Sequence, residues 1–202
     1  MDYLSIASNI GIIAFALSGV IVGIRKELDI MGVFVLSFLT SSGGGLLRDV
    51  LLNTTPAIFT NISVFYIIIT IIIVLKTLRS NDLIDKMEGT FIFRITDTIG
   101  LVAFAISGAQ TAILYEHSFF GVVIVTFLTS VGGGIVRDIL VNEVPEILQK
   151  GFYGTVAVLI GVTLYLLNKY GVDKDIAVPS VFAFGLILRY IAITKNLKLP
   201  YM

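Results

Sequence analysis

Seven mostly apolar stretches divide the sequence, at roughly 4–24, 30–52, 62–79, 91–115, 118–141, 151–168 and 175–194. A helix crossing about 30 Å of hydrocarbon needs about 20 residues, which is the length of these stretches. Charged or turn-like pieces separate them: RKELD, NTTPAIFTN, RSNDLIDKMEG, YEHS, NEVPEILQKG and NKYGVDKD. Residues are 56% hydrophobic and only 14% charged, against about 25% charged in soluble domains. A soluble fold of this length has too little interior to hide that much apolar surface. The expected fold is therefore an all-α integral membrane protein with seven transmembrane helices. The first segment lacks a basic leader and is too long for a signal peptide, so it is expected to stay in the mature chain.

The same composition excludes several functions. Net charge is zero, which points away from nucleic acid. There is no cysteine, so disulfides, thiol catalysis and Cys-based metal sites are ruled out. The single histidine, His117, rules out a multi-His site and reads as a solvated loop residue beside Glu116. No His-Glu metal spacing and no serine elbow occurs, so neither an enzyme nor a bound cofactor is expected.

Seven spans would put the termini on opposite sides. The N-terminal side then receives only Lys169 and Lys174 as basic residues. The other side receives Arg25, Lys26, Lys76, Arg79, Lys86, Arg94, Lys150, Lys195 and Lys198. Cytoplasmic loops carry the excess of Lys and Arg, so the N-terminus is expected outside and the C-terminus in the cytoplasm, in a plasma membrane. Tyrosines near segment ends (Tyr3, Tyr66, Tyr115, Tyr170, Tyr190) suit the interface.

The chain also repeats itself. Shifted by 89 residues, GIIAFALSG at 11–19 lies on GLVAFAISG at 100–108, and 22 of the 46 positions from 11 to 56 are identical. The expected organisation is a first three-helix repeat at 1–80, a cytoplasmic linker at 81–90, a second repeat at 91–170, and a seventh helix with a cytoplasmic tail at 171–202. Three spans per copy is odd, so the second copy enters the bilayer from the opposite face. Inverted repeats of this kind typically place a solute pathway near the midplane.

At the centre of each copy stands TSSGGGLLRDVLLN (40–53) or TSVGGGIVRDILVN (129–142). Glycine costs a helix about 1 kcal/mol relative to alanine, so Gly43–Gly45 and Gly132–Gly134 are candidate breaks or kinks. A break frees backbone carbonyls, and Thr40, Ser41, Ser42, Thr129 and Ser130 precede it with hydroxyls. Together these would be oxygen ligands for a small cation. The competing reading is that small residues let helices pack closely. The pairs Ser18-Gly19 and Ser107-Gly108 read by default as such packing.

Charges inside spans usually face a cavity or one another. Adjacent side chains on a helix point about 100° apart, so Arg48 and Asp49 are not expected to pair together, nor Arg137 and Asp138. Partners are expected on a neighbouring helix or in the other repeat. Asp49 with Asn53, and Asp138 with Asn142, are four apart and predict a polar stripe running to the surface. Asp97 is expected to pair locally with Arg94, and Arg189 to snorkel to the cytoplasmic surface. Inversion sends the Arg48 cluster to the external half and the Arg137 cluster to the cytoplasmic half.

The doubled FLTS-x-GGG-x-x-RD motif, each followed by N-x-x-P, resembles the prokaryotic branch of the trimeric intracellular cation (TRIC) channel family over about residues 4 to 194. The resemblance implies a homotrimer in the lipid bilayer, one pore per protomer, and conduction of monovalent cations, chiefly potassium. It implies that spans two and five line the pore at Gly43–Gly45 and Gly132–Gly134, with Ser41, Ser42, Thr129 and Ser130 as pore hydroxyls. Some bacterial sequences with this domain are labelled glycine transporters, so a small-solute transporter stands as the alternative. Bare arginines would attract anions, so a cation pathway requires Arg48 and Arg137 to be neutralised by Asp49 and Asp138, or to act as a gate.

Overall fold

The structure, a computed structural model, describes residues 2–79, 89–149 and 152–197. Among these, seven helices of 17 residues or more carry the fold: α1 (Tyr3–Arg25), α2 (Ile30–Leu51), α3 (Ser63–Arg79), α4 (Gly89–Leu114), α5 (Phe119–Leu140), α6 (Tyr153–Lys169) and α7 (Lys174–Thr194). A 3-10 turn at Ala57–Phe59 follows α2, and a one-turn helix at Glu146–Gln149 follows α5. Each long helix begins and ends within two residues of an apolar segment. The protein is a multi-pass helical membrane protein. Five of the helices are long and apolar enough to cross a membrane; α3 and α6, with 17 residues each, are shorter. Of the expected linker, 81–88 lies outside the described residues, while Gly89 and Thr90 already belong to α4.

Local chemistry explains the helix ends. Asp29 opens α2 by accepting from the Gly32 amide (2.7 Å), and Ser118 opens α5 through the Gly121 amide (3.3 Å). Both helices end in a Schellman motif. Thr54 N–H donates to the Asp49 carbonyl (2.9 Å) and Asn53 N–H to Val50 (3.1 Å), with Glu143 and Asn142 repeating the pattern on Asp138 and Ile139. Asn53 and Asn142 are left-handed, with φ of 53° and 56°. They stop the helices rather than continue a face, so the expected polar stripe from each Asp does not form. The left-handed turn swings each Asn away, and both side chains are exposed.

α1 and α4 cross at the centre. Phe15 and Phe104 meet there with ring centroids 5.3 Å apart, and both rings are buried. Each ring lies over a glycine of the other helix: Phe104 on Gly11, Phe15 on Gly100. The larger apolar core joins α4, α5, α6 and α7 through Leu101, Val102, Ile106, Val125, Val156, Ile160 and Val181. A smaller one joins α1 to α3 through Ala16, Val64 and Ile68. The other face of α3 exposes Ile69, Ile73 and Val74, side chains that lipid can cover.

A paired arginine–aspartate site flanking a glycine crossing

α2 and α5 run unbroken through their glycine triplets, so the expected helix break is absent. The glycines serve contact instead. A Cβ on Gly44 would collide with the Thr129 carbonyl oxygen, and one on Gly133 with the Thr40 carbonyl oxygen. A Cβ on Gly43 would stand 3.4 Å from the Gly133 Cα. The two backbones thus touch, and close approach of this kind is what small residues permit in membrane helices. Gly45 differs: nothing lies within 4 Å of its missing side chain.

The hydroxyls bond to their own helices. Thr40 donates to Leu36 (2.6 Å), Ser41 and Ser42 to Phe38 (3.2 and 2.5 Å), Thr129 to Val125 (2.6 Å) and Ser130 to Phe127 (2.7 Å). Their lone pairs remain as acceptors. Ser41 and Ser42 border a cavity of about 290 Å³ with Gly45, Arg48, Asp49, Ser8 and Asn9. Thr40, Thr129 and Ser130 are fully buried beside the crossing.

The adjacent Arg and Asp do pair, contrary to the angular expectation. Arg48 Nε and Nη2 lie 2.8 and 2.7 Å from Asp49 Oδ1. Arg137 Nε and Nη2 lie 2.9 and 2.8 Å from Asp138 Oδ1. The long arginine stem folds back across the 100° between neighbours, and a buried guanidinium without water takes the nearest carboxylate. Each second carboxylate oxygen then holds the next turn. Asp49 Oδ2 accepts from the Ala57 amide (2.9 Å), and Asp138 Oδ2 from the Glu146 amide (3.0 Å).

The remaining guanidinium nitrogen crosses between repeats. Arg48 Nη1 donates to Ser107 Oγ on α4 (2.6 Å), and Arg137 Nη1 to Ser18 Oγ on α1 (2.5 Å). The expected partner in the other copy therefore exists, but it is a serine. These are the serines of the two Ser-Gly steps, so their role exceeds packing. Their glycines do pack: a Cβ on Gly19 would strike Ser37 Cα at 2.6 Å.

Asp97 pairs with Arg137 (2.7 Å), not with Arg94. Three residues on from Arg94 it stands about 60° short of a full turn, on the face toward Arg137, where it is 1% exposed. Arg189 does not snorkel. It is 4% exposed, and its guanidinium carbon lies 4.6 Å from the centre of the Tyr153 ring. Tyr153 itself is buried, and it was missed in the sequence. The one signal available was the repeat, because a shift of 89 sets Tyr153 against Val64, a phenol in place of an apolar side chain. His117 is exposed, as expected.

A second cavity, of about 430 Å³, lies at the opposite end of α1. Asp138 borders it with Arg25, Lys26, Arg94, Glu143 and Glu146, and Lys26 reaches Glu143 across 2.6 Å.

Fold and site together define a two-copy helical membrane protein whose paired arginine helices cross at glycines. The chain matches the family model described as "Glycine transporter" over residues 5–79 and 94–169, two segments that begin 89 residues apart. It belongs to that family, and the solved structures it resembles are prokaryotic TRIC channels. It is 38% identical over 193 residues to the "UPF0126 membrane protein" of Deinococcus radiodurans, covering 95% of this chain and 88% of that one. The "UPF0126 membrane protein YvgT" of Bacillus subtilis is 35% identical over 196 residues, covering 96% and 93%. A prokaryotic TRIC channel crystallised in 0.5 M KCl superposes with a TM-score of 0.87 at 34% identity, covering 97% of this chain and 98% of that one. A structure described as a basis for conductance through TRIC cation channels gives 0.82 at 39% identity, covering 98% and 96%.

Proposed function

We propose that the protein is a passive, potassium-permeable cation channel with one pathway per protomer, lined by α2 and α5. The observation that carries this reading is the neutralisation of both arginines. A bare guanidinium at each constriction would select anions. Here each lies within 3 Å of a carboxylate, Arg48 of Asp49 and Arg137 of both Asp138 and Asp97. The two clusters border cavities at opposite ends of α1, with the glycine crossing and the Phe15–Phe104 pair between. That arrangement suits two gates in series, with the hydroxyls of Ser41 and Ser42 facing the external cavity. The likeness to channels described as conducting cations supports the same reading.

Seven spans in two inverted repeats, an external N-terminus, a plasma-membrane location and a homotrimer complete the proposal. A neighbour at 26% identity is described as a trimeric intracellular cation channel. The basic-residue bias supports the orientation. Permeant potassium or sodium would be cargo, not a resident cofactor.

The Arg48→Ala and Arg137→Ala variants are expected to raise open probability in planar bilayers. If both leave conductance, selectivity and gating as in the parent, the arginines are not gates. The family's description as a glycine transporter favours a second reading, small-solute exchange. Saturable glycine uptake with counterflow and no unitary currents would establish it instead.

A further inference from the structure

We infer that the two arginine gates are unequal: Asp97 locks Arg137 in the cytoplasmic half, while Ser8, its counterpart, leaves the external gate easier to open. The inference rests on reading the arginines as gates.

Positions 8 and 97 are related by the repeat shift, yet one carries a hydroxyl and the other a carboxylate. Ser8 Oγ lies 2.8 Å from Ser107 Oγ, which in turn accepts from Arg48. Beyond Asp49, the external arginine is thus held by a hydroxyl alone, Ser107 of the other repeat, braced by Ser8 of its own. Asp97 instead takes Arg137 Nη1 directly, beside its bond to Ser18. Hydrogen bonds with both partners charged are about twice as strong as neutral ones. Displacing Arg137 would also strand two buried carboxylates, of which Asp138 borders a cavity and Asp97 does not; displacing Arg48 strands only Asp49, which borders one.

The cytoplasmic lock has further parts that the first repeat lacks. The Phe93 ring covers Arg137 with its centroid 4.7 Å from the guanidinium carbon; Leu4 stands at the equivalent place. Tyr153 replaces Val64 and lies beside the Asp97 carboxylate. Arg189 rests on that ring from α7, a helix with no partner in the repeat. Arg137 and Arg189 balance Asp97 and Asp138, so the buried group is neutral as a set.

Accessibility follows the same asymmetry. The Arg48 side chain is 10% exposed and that of Arg137 is 1% exposed. The external cavity reaches Arg48 and Gly45. The cytoplasmic cavity reaches Asp138, but borders neither Arg137 nor Gly134. The external cavity thus borders its arginine, while the cytoplasmic cavity reaches its cluster only at Asp138.

The absence of cysteine makes the chain a clean background for thiol labelling. Gly45→Cys enters open space, and Gly134→Cys meets only the Tyr153 hydroxyl at 3.4 Å and Arg137 Nη2 at 3.8 Å. A membrane-impermeant methanethiosulfonate would be applied to each face of liposomes containing the purified protein. Gly45→Cys should react from outside, and Gly134→Cys should react from inside at least about tenfold more slowly, given what a charged hydrogen bond contributes. Adding Asp97→Ser should speed Gly134→Cys at least about tenfold and leave Gly45→Cys as it was. Ser8→Asp should slow Gly45→Cys. If Asp97→Ser does not elute as folded protein, Asp97→Asn keeps the shape and removes the charge. Equal rates at the two cysteines in the parent overturn the inference. So does an Asp97 variant that speeds both sites alike, or neither. Labelling needs no ion flux, so this failure leaves the channel reading standing. Absent unitary currents with asymmetric labelling would sink the channel and spare the asymmetry.

Discussion

Replacing Gly44 by alanine puts a methyl group where the Thr129 carbonyl oxygen now sits. The obstacle is backbone on a neighbouring helix, so no rotamer change relieves it and α2 must move off α5. Overpacking typically costs about 1–3 kcal/mol, and a backbone collision belongs at the upper end. Against this, alanine gains about 1 kcal/mol of helix propensity over glycine. The net loss at Gly44 is about 2 kcal/mol. Gly45→Ala is the control next door. Its methyl meets nothing within 4 Å, so only the gain of about 1 kcal/mol remains. The two alanines should therefore differ by about 3 kcal/mol and lie on opposite sides of the parent. The chain has no tryptophan, so unfolding would be followed by circular dichroism as SDS is titrated into mild-detergent micelles. Gly44→Ala should unfold at lower SDS than the parent and Gly45→Ala at slightly higher. Equal midpoints for the two variants would refute the reasoning, because they would mean the triplet is not a contact surface.

Two further changes probe the ends of the site. Asn142 sits at φ 56°, so Asn142→Gly should be neutral or slightly stabilising while Asn142→Val costs about 1–3 kcal/mol of strain, read in the same SDS titration. The Lys26–Glu143 pair is 38% and 51% exposed, so Lys26→Ala should cost less than about 1 kcal/mol, an effect that vanishes in high salt.

Much of this architecture was legible in the sequence because hydrocarbon imposes a single strong rule. Apolar runs of fixed length must be helices, and the helix ends fall within two residues of those runs. The repeat was legible because GGG-x-x-RD stands out against an apolar background. The fate of the glycines was not, since a triplet can open a helix or admit a neighbour, and only the opposing backbone decides. Periodicity misled at Arg48–Asp49 and Arg137–Asp138, where a flexible stem overrode the angle between adjacent residues. It misled again at Asn53 and Asn142, where a left-handed cap ended the helix one turn after each Asp. Asp97 and Arg189 looked like surface charges because both lie toward helix ends. Their partners, Arg137 and Tyr153, come from other helices that sequence spacing does not bring together.

The proposal of a cation pathway between neutralised arginines is tested most directly by a reversal potential. Purified protein in a planar bilayer would face a tenfold gradient of potassium chloride. Unitary currents should reverse near the potassium equilibrium potential, about 59 mV from zero for a singly charged ion. Reversal toward the chloride potential would mean that Arg48 and Arg137 act as bare positive charges, and would contradict the cation reading outright.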